Sequence, residues 1–201
     1  MSAILCSQIK QQAARFRAEK KWYRVLSQRA AVCIIVADRP GLGASLLMIQ
    51  RAEREGDPWS GNMAFPGGKH DLEDAHITAT ATRECREELG LETPYLHRFG
   101  RMSDILARPY RLQQKPMVVS PILFEYEGEL LFQPNEEVAD VLWVPLAHFL
   151  QKHNRQSMIW QRGGIQRRLP CYFYREKRIW GLTLLMIDEL TGLIGEPHTG
   201  R

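Results

Sequence analysis

The stretch Arg83-Glu84-Cys85-Arg86-Glu87-Glu88-Leu89-Gly90-Leu91 constrains this chain more than any other. It reads as the end of a helix that starts near Asp74 or Ala75 and stops at Leu89, with Gly90 where a left-handed cap residue is wanted. On such a helix Glu84, Glu87 and Glu88 stand at i, i+3 and i+4, so all three carboxylates project from one face. Like charges at that spacing repel by roughly a few tenths of a kcal/mol per pair, and a purely structural helix gains nothing from them. A cation resolves the conflict, and hard carboxylate oxygens suit Mg²⁺ or Mn²⁺. Arg83, one turn before Glu87, is positioned to hold a carboxylate. Taken alone, these residues fit a solvated acidic face flanked by arginines equally well. The glycine turn Phe65-Pro66-Gly67-Gly68 just upstream shifts the balance, because glycine presents bare backbone to a ligand or ion.

Around this centre the pattern alternates between strands and helices. Residues 2–28 read as a polar helix with Ile4, Leu5, Ile9, Phe16, Trp22 and Leu26 as packing positions. Ala30–Ala37 and Ser45–Gln50 read as a hairpin across the turn chemistry of Asp38–Gly43, and residues 51–62 as a charged loop. Met117–Tyr126 and Val138–Val144 are further strands, Leu146–Gln151 a short helix, Gln166–Tyr174 with Lys177–Trp180 a second hairpin, and Leu182–Leu190 a closing helix. Strands mixed with a few helices predict an α/β or α+β sandwich.

The glycine turn and the acidic helix together resemble the Nudix box: Gly, five residues, Glu, seven residues, then Arg-Glu-aliphatic-x-Glu-Glu-x-Gly-aliphatic. Here Gly68 is followed by five residues and Asp74, and eight residues separate Asp74 from Arg83. The loop is thus one residue longer than the general pattern, Asp74 stands in for Glu, and Cys85 takes the aliphatic slot. The longer loop, with Asp71 and Asp74 after Phe-Pro-Gly-Gly, is similar to the coenzyme A diphosphatase branch. So are Leu46–Arg51, Asn135–Val138 leading into Trp143–Leu146, and Ile179–Thr183. One departure is Trp59, where that branch usually carries His two residues before the glycine that is Gly61 here; Pro58–Gly61 looks like a bacterial side group. The resemblance covers roughly residues 30–192 and implies a Nudix α/β/α sandwich with a mixed sheet over residues 29–195, preceded by an N-terminal helical extension over residues 1–28.

The resemblance implies metal-dependent hydrolysis of a diphosphate bond in a nucleoside diphosphate derivative, with coenzyme A or a related CoA species as the leading substrate. ADP-ribose, a dinucleotide or an oxidised nucleotide is the alternative; a nucleotide sensor or an RNA-linked enzyme are lesser ones. Glu84, Glu87 and Glu88 are the expected ligands of Mg²⁺ or Mn²⁺, with the Gly68 carbonyl completing the shell. Glu84 and Arg83 are expected to be catalytic, Glu84 orienting or deprotonating water and Arg83 fixing carboxylate geometry. Glu137 is a further ligand or base, with a surface role as the competing reading. Arg51 and Arg54 are candidates to hold substrate phosphates. Trp59 and Phe65 are candidates to stack on the substrate, core packing being the stronger reading for Phe65. Trp143 and Trp180 are assigned to the core, and neither His70 nor His76 to a metal.

Composition narrows the partners. Lys plus Arg is 27 and Asp plus Glu is 23, a net charge of +4 with clusters at Arg15–Arg29 and Arg162–Arg178. That mild balance argues against nucleic acid as the main partner, and the resemblance implies a nucleotide-type small-molecule substrate instead. No apolar run approaches the roughly 18 residues of a membrane span, so no membrane partner is expected. Four scattered cysteines without paired spacing argue against a zinc site. The start lacks a signal peptide and the terminal His198–Arg201 matches no address signal, so a cytoplasmic location is expected, with an organelle transit peptide as a minor alternative. Analogy with relatives allows a homodimer.

Overall fold

The chain runs α1 (Ser2–Arg15), β1 (Gln28–Arg39), β2 (Gly43–Arg51), β3 (Met63–Ala64), β4 (Gly67–Lys69), α2 (Ile77–Leu89), β5 (Leu96–Arg101), β6 (Ile105–Ala107), β7 (Met117–Tyr126), β8 (Val138–Pro145), α3 (Leu146–Leu150), β9 (Gln156–Arg162), β10 (Ile165–Tyr174), β11 (Lys177–Trp180) and α4 (Gly181–Gly192). The computed structural model describes residues 2–56, 59–107, 115–162 and 164–195. Pro58, residues 198–201 and the side chain of Ile4, all named above, lie outside what is described.

The apolar runs of β1 and β2 are covered on both faces, which is why they read as continuous rather than alternating. Ala31, Cys33 and Ile35 of β1, with Leu47 and Ile49 of β2, pack on Ala81, Cys85 and Leu89 of α2. Ile34, Val36, Leu46 and Met48 point the other way, onto Ile9 and Ala13 of α1, Phe149 of α3, and Leu184, Met186, Ile187 and Leu190 of α4. The result is the expected α/β/α sandwich.

The sheet is mixed. β1 runs parallel to β7 from Gln28↔Met117 to Ile35↔Phe124, and β7 pairs antiparallel with β5 and β6. The other edge of β1 is shared: residues 30–32 pair with β4 and residues 36–39 with β2. β2 in turn pairs with β8 along its length and with β3 at Ile49 and Gln50. Residues 63–69 therefore leave the edge of β2 and join that of β1, and Gly67 and Gly68 lie just past this crossing. A separate antiparallel sheet, β9–β10–β11, contributes Tyr172 and Ile179 to the core.

Several elements differ from the sequence expectation. The N-terminal helix ends at Arg15, and Trp22–Val25 form a short 3-10 turn, so Trp22 and Leu26 are exposed rather than packed. Only the first stretch keeps the helical period: Ile9 is buried and Leu5 and Phe16 pack at its side. The segment after α1 is held by hydrogen bonds instead, from Lys21 N–H to Asp104 Oδ2 (3.0 Å) and from Asp104 N–H to the Glu19 carbonyl (2.8 Å). α2 begins at Ile77, later than Asp74, because Asp74 is engaged in the preceding turn and His76 caps the helix. The sequence does not point to β3, β4, β5, β6 or β9; Gly-Gly-Lys and Leu-His-Arg-Phe-Gly-Arg carry little strand propensity, and neighbouring strands recruit them.

Because Ile9 is fully buried in the larger core, Ile9→Ala should cost about 2–5 kcal/mol of stability. Urea unfolding checks this, and a loss near zero would mean that α1 is a dispensable arm.

Candidate active site

α2 carries the acidic residues into the fold because its ends are fixed. His76 is extended and its Nδ1 accepts a hydrogen bond from Ala79 N–H at 3.0 Å. Gly90 closes the helix at φ 71°, donating its N–H to the Arg86 carbonyl. The Leu89 and Glu88 carbonyls accept from Gln133 N–H (2.9 Å) and Asn135 N–H (3.2 Å), satisfying groups a helix end leaves open. These bonds moor the loop that carries Glu136 and Glu137 to the end of α2.

The three carboxylates are not equivalent. The face of α2 that packs on the sheet holds Thr80, Ala81, Cys85, Glu88 and Leu89, so Glu88 points inward and is 2% exposed. Its Oε2 accepts from Gly67 N–H at 2.8 Å. Glu84 is half-buried, against the crossing segment, and Glu87 lies outward beside Arg83. The expectation of one shared face is therefore met by Glu84 and Glu88, with Glu87 at its rim.

The two glycines serve different ends. A Cβ on Gly67 (φ 158°) would sit 2.3 Å from the Ala31 carbonyl oxygen and 2.7 Å from the Val32 Cα, so only glycine lets β4 reach β1. A Cβ on Gly68 would sit 2.5 Å from the Glu84 carboxylate. The space that Gly68 lacks a side chain to fill is where Glu84 places its oxygens.

Arg83 organises this group. Its Nε and Nη2 fork onto Asp74 at 3.0 and 3.1 Å, its Nη2 also reaches Glu84 Oε1 at 2.9 Å and the Lys69 carbonyl at 3.0 Å, and its Nη1 reaches Glu87 at 2.9 Å. Asp74 accepts additionally from Thr80 Oγ1 at 2.9 Å and from Asp71 N–H at 2.9 Å. His70 Nδ1 lies 2.8 Å from Thr80 Oγ1. Asp74 is a methylene shorter than Glu, and the loop before Arg83 is one residue longer than the general pattern; here the shorter side chain still meets the guanidinium. Thr80 escaped the sequence reading. Its signal is a polar residue, fully buried, on the packed face of α2.

The remaining candidates fall into two groups. Arg51 N–H donates to the Asn62 carbonyl (3.0 Å) and Ala52 N–H to the Glu137 carbonyl (2.8 Å), joining the two loops beside α2. The Arg51 guanidinium and Glu137 both act electrostatically on Glu88, so both are brought to the site. Arg54 pairs with Glu137 Oε1 (3.0 Å) and Glu136 Oε1 (3.3 Å), so this expected phosphate ligand is engaged by carboxylates. Trp59 is 39% exposed, whereas Phe65 is 3% exposed in the core, so packing is the role its position supports. Trp143 and Trp180 are only partly buried; Trp143 stacks under Arg39, and Trp180 donates to Asn62 Oδ1 at 2.9 Å.

Electrostatics separate the carboxyls. Hydrogen bonds from Arg83 hold Asp74 far below the usual carboxylate range, and Asp74 in turn raises Arg83. Burial pushes Glu88 up to about 8, with Glu84 and Glu137 adding repulsion against the relief from Gly67 N–H and Arg51. Burial also raises Glu84, opposed by Arg83. Two buried carboxylates, Glu84 repelling Glu88, set against the backbone of Gly67 and Gly68 suit a hard divalent cation. Among the described residues no three acidic, histidine or cysteine side chains converge as they stand into a closed cage. Glu87 leans to Arg83 and Glu88 to Gly67, so holding a cation would require both to turn from these partners.

A domain profile described as NUDIX matches residues 27–161. A human protein named mitochondrial coenzyme A diphosphatase NUDT8 is 38% identical over 163 residues, covering 79% of this chain and 66% of its own length. The chain thus spans just under two thirds of that relative. The mouse protein of the same name is 37% identical over 174 residues, covering 84% and 79%. The Nudix hydrolase NudL of Yersinia pestis (strain Pestoides F) is 31% identical over 170 residues, covering 84% and 81%. Among solved structures, the NUDIX domain of Shewanella oneidensis NrtR complexed with ADP ribose aligns with a TM-score of 0.51 at 17% identity, over 90% of this chain and 92% of that one. At that identity the likeness concerns the fold.

Two predictions follow from this geometry. Gly68→Ala should leave stability nearly intact but displace Glu84 and cost roughly 100-fold in turnover, the scale of a 1 Å misplacement. Gly67→Ala should destabilise by about 1–3 kcal/mol or more, because its clash is with backbone. Thermal melts and rates on the same two variants separate the roles, and equal behaviour would refute the assignment. The second concerns pH without metal. A carboxyl raised in the fold contributes fully below its unfolded value, 4.5, and loses that contribution as the pH climbs toward its folded value, about 8 for Glu88. Asp74 works oppositely, losing its contribution only as the pH falls below 3.8. In chelator, the protein should therefore lose stability between about pH 5 and pH 8, by at most about 1.4 kcal/mol per unit, and Glu88→Gln should flatten that slope.

Proposed function

The chain belongs to the Nudix hydrolase family, and we propose that this member hydrolyses the diphosphate bond of coenzyme A or a related CoA species, giving 3′,5′-ADP and 4′-phosphopantetheine. The observation that carries the hydrolytic reading is the buried Glu84–Glu88 pair set against Gly67 and Gly68 and braced by Arg83. The substrate reading rests on the 37–38% identity to two proteins named for that reaction.

Nudix hydrolases act on nucleotide derivatives and generally use divalent metals. Glu84, Glu87, Glu88 and the Gly68 carbonyl would hold Mg²⁺ or Mn²⁺ here. When bound, such an ion neutralises diphosphate charge and lowers the pKa of a water. The protein's own residues do the rest. Water adds its oxygen to one phosphorus of the anhydride, the bridging P–O bond breaks, and the proton leaves through a carboxylate. Glu84 is our candidate for that base: burial raises its basicity and the Arg83 contact fixes its direction. Arg83 is itself aimed by its fork onto Asp74, so Asp74 acts at one remove. Arg51 acts on Glu88 and carries a charge of the sign the diphosphate needs. Arg54 engages Glu137 until substrate phosphate competes for the guanidinium, and Glu137 then serves as a further ligand or base. Trp59, at the exposed edge of the loop, is the aromatic we assign to substrate stacking.

We assign the chain to the cytoplasm, a reducing compartment that suits its four free thiols. The human and mouse relatives are mitochondrial by name, and fractionation of the native cell distinguishes the two. Among the described residues no helix is long and apolar enough to cross a membrane. We take the chain to form a homodimer by analogy, which sedimentation tests.

The decisive assay incubates coenzyme A, ADP-ribose, NADH, a dinucleoside polyphosphate and 8-oxo-dGTP with Mg²⁺ or Mn²⁺ and identifies the products by chromatography, as 3′,5′-ADP and 4′-phosphopantetheine for coenzyme A. Coenzyme A should be turned over selectively, and Glu84→Gln should lose roughly 10²–10⁴-fold in rate. Turnover of another member instead would keep the chemistry and overturn the substrate. Nucleotide binding without any turnover would point to a sensor.

A further inference from the structure

The basic strand β11 has no part in the reading above, yet it is tied to the site. Trp180, at its end, donates from Nε1 to Asn62 Oδ1 at 2.9 Å. The Asn62 carbonyl accepts the Arg51 N–H at 3.0 Å. Thr183 Oγ1, just beyond Trp180, donates to the Met63 carbonyl at 3.0 Å. β11 therefore buttresses the strand that leads into Gly67 and Gly68, and it stands one residue away from Arg51.

Arg178 and Trp180 are two residues apart and share a face of that strand. The guanidinium carbon of Arg178 lies 5.5 Å from the Trp180 ring centroid, a cation–π contact that orients the fork. Phe173 is the cross-strand partner of Arg178 and is 40% exposed. On the opposite face, Lys177 is committed to Asp140 at 2.8 Å and to Gln50. Among the described residues no carboxylate pairs with Arg178. An exposed guanidinium thus stands over one aromatic ring and across the strand pair from another, on a strand joined to Arg51 through Asn62.

A CoA-type substrate matches this surface. Beyond its diphosphate it carries an adenine with two π-faces and a ribose with a 3′-phosphate, whose charge needs its own cation. A nucleobase stacks on an aromatic ring for roughly 1–3 kcal/mol, and a guanidinium forks onto a phosphate.

We propose that Arg178, with Trp180 and Phe173, forms the subsite for the 3′-phosphorylated nucleoside end of the substrate, Arg178 taking the phosphate and the aromatic pair the base. This rests on the CoA reading above and names the residues that select for it. The test compares wild type, Arg178→Ala and Arg178→Lys on coenzyme A and on 3′-dephospho-coenzyme A. It also measures calorimetric binding of 3′,5′-ADP and 5′-AMP, with melting curves confirming the fold. Arg178→Ala should raise KM for coenzyme A roughly 10- to 100-fold, leave kcat nearly unchanged and leave the dephospho substrate unaffected. Arg178→Lys should recover part of the loss, since it keeps the charge without the fork. Equal effects on both substrates, or no effect on either, would overturn the subsite. Phe173→Leu should weaken both nucleotides alike, and an unchanged affinity would remove the stacking half of the proposal. If wild type turns over neither CoA species, the functional reading fails and the binding arm decides the subsite. A preference for 3′,5′-ADP over 5′-AMP that Arg178→Ala erases supports it; the lack of such a preference overturns it.

Discussion

Two carboxylates that water would prefer to solvate are instead buried where α2 meets the crossing between β3 and β4. Glu88 is nearly inaccessible and Glu84 partly so, burial raises the proton affinity of both, and Glu84 raises that of Glu88 further. Nothing in ordinary packing rewards this, since unpaired buried charge is among the costliest things a fold can hold. The surroundings are arranged to tolerate it: a backbone N–H from Gly67, a guanidinium from Arg83, a second charge from Arg51, and a void at Gly68 that is filled by carboxylate oxygen. The fold stores a local electrostatic conflict that binding a divalent cation would relieve.

That arrangement depends on parts distant in sequence. The glycines lie where residues 63–69 change from the edge of β2 to that of β1. The loop carrying Glu137 is moored to the C-terminal carbonyls of α2, so the end of the acidic helix positions the further acidic residue. β11 and the start of α4 hold Asn62 and Met63 from the other side. The site is thus assembled where β3 and β4 change edges within the mixed sheet, and its precision comes from backbone hydrogen bonds that the rest of the sandwich keeps in register.

The network around Arg83 shows how a departure from a family pattern can be absorbed. Asp74 reaches one bond less far than Glu, and the loop before Arg83 has one residue more. The turn from Asp71 to Asp74 is closed by Asp71 N–H on Asp74 and by Asp74 N–H on the Asp71 carbonyl. This delivers the shorter carboxylate to the same guanidinium, with Thr80 as an additional donor.

By itself the sequence determined the sandwich, the hairpin of β1 and β2, the acidic helix with its Gly90 stop and the importance of the glycine turn. Each is written in local period, spacing or conformational demand. It did not reveal β3, β4, β5, β6 and β9: the residues of β4 and β5 take strand geometry from neighbours rather than from propensity, and β3 and β6, at two and three residues, are too short to show a period. It extended α1 too far, since a polar stretch after Arg15 is held by contacts with Asp104 that lie more than eighty residues away. Only the tertiary structure decided that Glu88 turns inward while Glu87 faces out, and that Arg54 is engaged by Glu136 and Glu137. It alone made Gly67 a condition of the fold and Gly68 room for a carboxylate. Those outcomes depend on what stands opposite each side chain across the sandwich, and helical spacing fixes only the direction from which a residue sets out.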